Sequence, residues 1–553
     1  MNLIPAARLR QISSAAEAPI FWTLLGLLVA VVVVSGPVLT SDGPSHLSMA
    51  HFILLAGDPA SPMLNRIYEM NPQLSPNALG HFVLAGFMLI VPPLVAEQTL
   101  QIVCLVSVPL AARLTLQRLS PDAGWISLFF FPVALQRLFF LGLYNFCLSL
   151  TGCILCIWAY LRLRERASFA NIAILALMLL VTLACQASGW MESVVAIGAM
   201  VTTESVLRLV AGERALVVTR LPALTLASLA PGAALFALFA LQNVGNHDFF
   251  YGPSPLQRLL AVVRGDAFAT IGRSTALVSC ALGATLLVML IIGGITVLRN
   301  GQPGMRDRWL QPATLMLPLS FLAFVLIIPD EAGGGWTHTW RAEAFPYIGL
   351  ALACAILPTP WVIRTAAIAA TTAGSLVTIA MTFWLQAWEV PPVARKFAAV
   401  DKLIGPHCTI APVLADFKLD PANTAQVIHH PLFHIASRIE LRSDRPVLFS
   451  YHARLPIYPI RFRPDADPMR LLFGWESEQT DTHVYKVDIA GFEAATGIAV
   501  DYVLLWDVPG PDHAGPFQDL RSATLAHYKL VHHSPSGRLE LYQRLAPGGC
   551  VKP

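Results

Sequence analysis

The chain has 553 residues, of which 55% are hydrophobic and only 13% charged, with a mean hydropathy of +0.61. A water-soluble chain of this length carries about a quarter charged residues, so a soluble globular enzyme is excluded. The net charge of +3 is too small to point to a nucleic-acid partner, but its distribution is informative: every Lys lies beyond residue 390, and the apolar part uses Arg alone.

The first apolar run, residues 20–39 (IFWTLLGLLVAVVVVSGPVL), is long enough to cross a bilayer core. It is too long for the apolar region of a signal peptide, and no A-x-A site follows it. Arg8 and Arg10 precede it, which places the N-terminus in the cytoplasm. Eleven spans are predicted, near 20–40, 77–95, 97–118, 139–161, 169–186, 190–209, 221–242, 272–298, 311–328, 343–358 and 361–385. With this count the Arg-rich turns at 162–166 (RLRER), 208–220 and 299–308 (RNGQPGMRDR) all fall on the cytoplasmic side. The segment 124–138 (GWISLFFFPVALQRL) is short, contains Pro132 and ends near Arg137. As a full span it would export every later Arg cluster, so it reads as a partial or buried helix. A thirteen-helix arrangement also satisfies the parity.

Four segments then face the outer side: 41–76, 243–271, 329–342 and everything after about 388. In the first, HLSMAHFILLAGD (46–58) has apolar residues at helical spacing and predicts an amphipathic helix at the interface. The composition changes after Trp388. Residues 390–553 hold 17 Lys and Arg and 17 Asp and Glu, half of all acids in the chain. Strands are predicted over 408–417, 445–452, 501–508 and 539–545, with helices over 393–404 and 423–439. The expected architecture is a helical membrane domain, 1–388, followed by a soluble α/β domain, 389–553. Its two cysteines, Cys408 and Cys550, can pair if this domain lies in an oxidising compartment. The other cysteines, including the CILC run within an apolar span, read as small apolar fillers. No phosphate-binding glycine fingerprint appears, so a mechanism using ATP or a nucleotide sugar is unsupported.

Asp42 follows the first span directly, in SDGPSHL, with His46 and His51 close behind. One reading is structural: Asp42 caps a helix that starts near Pro44, and the histidines form its polar face. The motif DGPSHL (42–47), together with GLYNF (142–146), also resembles the GT-C superfamily of membrane glycosyltransferases. Its members include protein O-mannosyltransferases and the aminoarabinose transferase acting on lipid A, and the likeness is greatest to uncharacterised bacterial members. The resemblance implies a polytopic bundle with an outer-face site and a sugar donor carried on polyprenyl phosphate. Several of these families place two acids together; here Gly43 follows Asp42, and the next acids are Asp58 and Glu69. No metal and no other cofactor is therefore expected.

Sugar transfer from a lipid phosphate needs a base or charge partner for the acceptor hydroxyl, and a cation for the departing phosphate. Asp42 suits the first role. For the second, PDEAGGGWTHTWRAEAF (329–345) offers Arg341, with His338 beside it and Trp336 and Trp340 to stack on sugar or prenyl chain. The competing reading is an interfacial Arg within an aromatic belt. Tyr144 and Asn145 are candidates for binding the donor or for bonding a neighbouring helix, and His247 for contacting the acceptor or anchoring a loop. Gln186, Trp190 and Glu192 line a cavity or form a turn. The three histidines of HHPLFH (429–434) are assigned to packing.

The expected function is transfer of a sugar from a polyprenyl-phosphate donor to a glycan, lipid or protein acceptor of the cell envelope. It would take place at the outer face of the bacterial inner membrane, with the C-terminal domain in the periplasm. A non-catalytic scaffold of the same shape, which binds a partner through the soluble domain, stays open because the site has a single acid. A transporter is disfavoured, since the spans hold almost no charge at their midpoints.

Overall fold

The computed structural model describes residues 6–243, 250–300, 308–332, 335, 337–416, 419, 430–442, 444–474, 487–509, 518–545 and 550. Among them, nine helical segments are long and apolar enough to cross a membrane. Most match predicted spans, for example Pro93–Leu119, Tyr144–Glu165 and Ala187–Val210. Three predicted spans are shorter helices: Leu79–Met88 with 10 residues, Phe169–Cys185 with 17 and Phe345–Ala355 with 11. At 1.5 Å per residue, the first and last reach about half the thickness of a bilayer core. Pro92 and Pro93 stop one of these apolar runs, and Pro358 and Pro360 follow the other. Hydropathy does not distinguish a lipid-facing helix from one enclosed by its neighbours, and Phe345–Ala355 is buried at nearly every position.

The segment around 124–138, expected as a partial or buried helix, is one of the nine by length and apolarity, and it is interrupted at Leu135 and Gln136, with Pro132 inside a short helix. A 3-10 stretch, Pro121–Phe129, leads into the short helices Phe130–Ala134 and Arg137–Phe140, and nearly all of it is buried. The last predicted span does not end at the expected domain boundary. Trp361–Trp384 continues through a π-helical turn, Leu385–Glu389, into Val390–Asp401.

The C-terminal part forms a four-stranded mixed sheet. With β1 (Tyr68–Met70), which follows the first helix, and β3 (Ile460–Phe462) set apart, its strands are β2 (Ile410–Leu414), β4 (Tyr502–Trp506), β5 (Tyr528–His533) and β6 (Leu539–Arg544). The order is β2-β4-β6-β5, with β2 parallel to β4 and the other pairs antiparallel. Strand β5 was not predicted. The predicted strand at 445–452 contributes one bridge, Val447 to Ile410, and then turns into the 3-10 segment Tyr451–Arg454. Of the helix expected over 423–439, residues 423–429 lie outside the described residues, and Ile435–Leu441 is a 3-10 helix. Cys408 and Cys550 form a disulfide, with their Cα atoms 4.8 Å apart.

The C-terminal part is tied to the segment that follows the first helix. Strands β1 and β3 pair antiparallel, with Tyr68 opposite Phe462. The Asp444 carboxylate accepts the backbone N–H groups of Met63 at 2.8 Å and Leu64 at 2.7 Å. Between the two lies the helix Gly43–Leu55. It was expected at an interface with one polar side, yet Gly43 to Ala50 are all buried. The membrane bundle covers one face and the 3-10 helix Ile435–Leu441 the other, so Ser45, His46 and Ser48 bond to protein groups.

Candidate active site

The site is built where the first helix ends. The chain leaves Ala6–Ser35, and the backbone N–H groups of Ser41 and Asp42 donate to the carbonyls of Phe140 and Leu141, at 3.2 and 2.9 Å. The two motifs DGPSHL and GLYNF therefore lie side by side. Gly142 has φ +84°, which favours glycine, and a Cβ there would stand 3.0 Å from the Asp42 nitrogen. Gly43 is equally constrained. A Cβ on it would collide with Thr40 Oγ1 and the Tyr144 hydroxyl and stand 2.7 Å from Glu97 Oε1. That crowding is the physical reason no second acid follows Asp42. An acid is nevertheless near: Glu97, buried in the Pro93–Leu119 helix, accepts the Tyr144 hydroxyl at 2.9 Å and pairs with Arg438 at 3.2 Å.

Asp42 begins the Gly43–Leu55 helix, but its side chain makes no capping bond. Thr40 Oγ1 takes the Gly43 N–H instead, at 3.1 Å. The Asp42 carboxylate, only 6% exposed, turns toward the soluble domain. Tyr451 donates its hydroxyl to Oδ2 at 2.9 Å. His452 Nε2 stands 3.5 Å from Oδ2, and His434 Nε2 3.7 Å from Oδ1. Burial alone would raise the carboxyl pKa; His452 and the Tyr451 hydroxyl outweigh it and hold the group below its ordinary value. Asp42 is thus ionised at neutral pH. Burial pushes His434 down to about 3 and His46 well below its usual value, so both imidazoles are neutral.

His46 lies one turn along from Asp42. Its Nδ1 is 2.9 Å from His81 Nε2, and its ring centroid is 5.0 Å from that of His452. Asn145 sits behind this pair: it takes the Gly80 N–H at 2.6 Å, donates to the Asn77 carbonyl at 2.8 Å and lies 3.2 Å from His81 Nδ1. Tyr144 is enclosed by Thr40 at 3.1 Å, Gln101 at 2.7 Å and Glu97. Both GLYNF side chains therefore brace the cluster from below. Asp42, His46 and His452 offer ligand atoms that all lie within 4.8 Å of one another. The other ring nitrogen of each histidine already has a partner, His81 for His46 and Ser45 for His452 at 3.0 Å. Bonded second nitrogens are usual for imidazoles that hold a divalent cation, so these residues could accommodate one.

Arg341 is 6% exposed, and its Nε and Nη1 have no hydrogen-bond partner among the described residues. Its guanidinium, whose pKa burial lowers, is within electrostatic range of Tyr458, Tyr451, Glu192 and Asp330. Tyr451 also holds Asp42, and Tyr458 packs edge-on against His452 at 4.8 Å between centroids. Arg341 and Asp42 thus border one aromatic-walled region. His338, three residues earlier, is 3.3 Å from the Ala332 carbonyl through Nε2, and burial holds its pKa down to about 3. Trp340 faces elsewhere: its ring stacks on the Arg137 guanidinium at 4.2 Å, in a cleft shared with Arg258 and Arg264. Trp336 and His247 lie outside the described residues.

The sequence does not single out His452 and Tyr451, which fall in a predicted strand, or His434, which reads as packing. No local signal marks these residues, since they reach Asp42 across about 400 positions of chain. Glu97 was detectable as a lone acid within an apolar run, a pattern that marks functional sites in membrane proteins.

No family model and no curated protein matches the chain. The fold does match a solved structure, ArnT from Cupriavidus metallidurans in the apo state. The match has a TM-score of 0.53 at 12% identity, over 96% of this chain and all of that one. The overall architecture of the chain is therefore that of this solved structure. At this identity the likeness speaks for the architecture alone.

Proposed function

We propose that the protein is a membrane glycosyltransferase that moves a sugar from a polyprenyl-phosphate donor to a cell-envelope acceptor. The observation that carries this reading is the pairing of an ionised, buried carboxylate with a buried guanidinium that has free donors, Asp42 and Arg341, across one aromatic-walled region. Asp42 takes the proton of the acceptor hydroxyl as its oxygen attacks the anomeric carbon. The bond from that carbon to the phosphate oxygen breaks, and Arg341 holds the charge left on the polyprenyl phosphate. His338 lies on the phosphate side of Arg341, and His46 helps fix the groups around Asp42. A base has to keep its lone pair free, so this assignment uses no resident metal. The soluble domain supplies Tyr451 and His452 and forms the wall over which an acceptor arrives. Its disulfide suits the periplasm, with the membrane domain in the inner membrane.

The test is transfer by the purified, full-length protein. Polyprenyl phosphate carrying a radiolabelled sugar is incubated with cell-envelope extract, and label should move to the acceptor fraction with release of polyprenyl phosphate. Mass spectrometry of surface glycans and lipids in a deletion strain should show the same sugar missing. An unchanged envelope, together with no release of polyprenyl phosphate, overturns the proposal.

A further inference from the structure

The Ala187–Val210 helix carries two polar side chains toward the bundle interior. Ser188 and Glu192 are four residues apart, hence on one face, and are 1% and 0% exposed. Ser188 Oγ and both Glu192 oxygens have no partner among the described residues. The short helix His338–Ala342, which carries Arg341, packs against this helix. Arg341 brings its two partnerless nitrogens, and His338 a partnerless Nδ1. Arg341 lies near Glu192, yet no nitrogen–oxygen contact of 4.0 Å or less joins them.

Buried charged groups without hydrogen bonds are costly, and proteins keep them where a ligand completes the bonding. A buried guanidinium and a buried carboxyl, near one another but without a direct contact and each with partnerless polar atoms, leave bonding capacity for a ligand. That ligand must accept hydrogen bonds on the Arg341 side and donate them on the Glu192 side. A bare phosphate meets Arg341 but brings no donor for the Glu192 carboxyl, and a prenyl chain offers neither kind of group. A phosphate joined to a ring with adjacent hydroxyls offers both: the phosphate oxygens to Arg341, two hydroxyls to the two Glu192 oxygens, and a third to Ser188.

We infer that Glu192, assisted by Ser188, is the residue that reads the hydroxyl groups of the donor sugar. This rests on the assignment of Arg341 to the donor phosphate. Glu192 then sets donor specificity: it makes the enzyme prefer sugar-bearing polyprenyl phosphate over the bare lipid, its own product.

The experiment compares binding of undecaprenyl phosphate with binding of the same lipid carrying glucose, galactose, mannose or arabinose, by native mass spectrometry of the full-length protein. The parent should bind at least one sugar-bearing lipid about ten-fold tighter than the bare one, the scale of two hydrogen bonds. Glu192→Ala should erase that difference and leave the bare lipid unchanged. Glu192→Gln, with one acceptor oxygen of similar reach, should keep part of it, and Arg341→Ala should weaken both ligands. If Glu192→Ala does not purify folded, Ser188→Ala reads the same discrimination with a smaller loss. Equal effects of the Glu192 and Ser188 substitutions on both lipids overturn the inference, as does a parent that binds every sugar-bearing lipid no better than the bare one; either result leaves the phosphate assignment standing. A parent that binds none of the lipids removes both.

Discussion

The Tyr451 hydroxyl and the Asp42 carboxylate are 409 residues apart in the chain and 2.9 Å apart in the fold. The bond joins the end of the first membrane helix to a turn of the soluble domain. It also decides between two roles for Asp42, because a carboxylate engaged with Tyr451 is not capping its own helix.

Asp42→Asn keeps the size of the side chain and can still accept from Tyr451, but it cannot take a proton. General-base assistance contributes about 10²–10⁴ in rate. The variant should fold, bind donor as the parent does, and transfer sugar at least about a hundred-fold more slowly. Turnover within a few-fold of the parent, measured on purified protein, would strip Asp42 of its catalytic role.

Arg341→Ala removes a charge-assisted contact worth about 1.5–3 kcal/mol. Donor use should fall about ten-fold or more at equal expression. Arg341→Lys should recover part of the loss, since an ammonium lacks the planar fork that grips two phosphate oxygens. Donor titrations that overlay for parent and alanine variant would place the phosphate elsewhere.

The cluster of Asp42, His46 and His452 makes the metal question concrete. With Asp42 acting as a free base, exhaustive chelation should leave transfer within about two-fold of the untreated enzyme. Activity that disappears on chelation and returns with zinc or manganese would assign the cluster to a cation and end the base role.

Glu440 provides a pH test of the join between domains. Its carboxyl, buried against Ser48 of the Gly43–Leu55 helix, is pushed by burial up to about 8 from an ordinary 4.5. Between these values the folded protein holds a proton that the unfolded chain has released. Stability therefore falls as pH rises through that window and levels off above it. Glu440→Gln should raise the unfolding temperature at pH 8 and change it little near pH 5. Parallel pH profiles for variant and parent would show that Glu440 does not control the join.

The sequence by itself determined that this is a helical membrane protein with a soluble α/β end, because hydropathy and charge balance are local sums over the chain. It also marked Asp42 and Arg341, whose positions just outside apolar runs are visible in one dimension. Even the missing second acid was legible, though its cause was not: Gly43 is a glycine because Thr40, Tyr144 and Glu97 occupy the space of a side chain. Tertiary structure alone decided which apolar runs are too short to span, since a helix wrapped in protein is as hydrophobic as one wrapped in lipid. It alone brought His434, Tyr451 and His452 to Asp42, and set Glu192 opposite Arg341. Such partners are chosen by the docking of one domain onto another, and the bonds that record this choice span hundreds of residues with no periodicity to betray them.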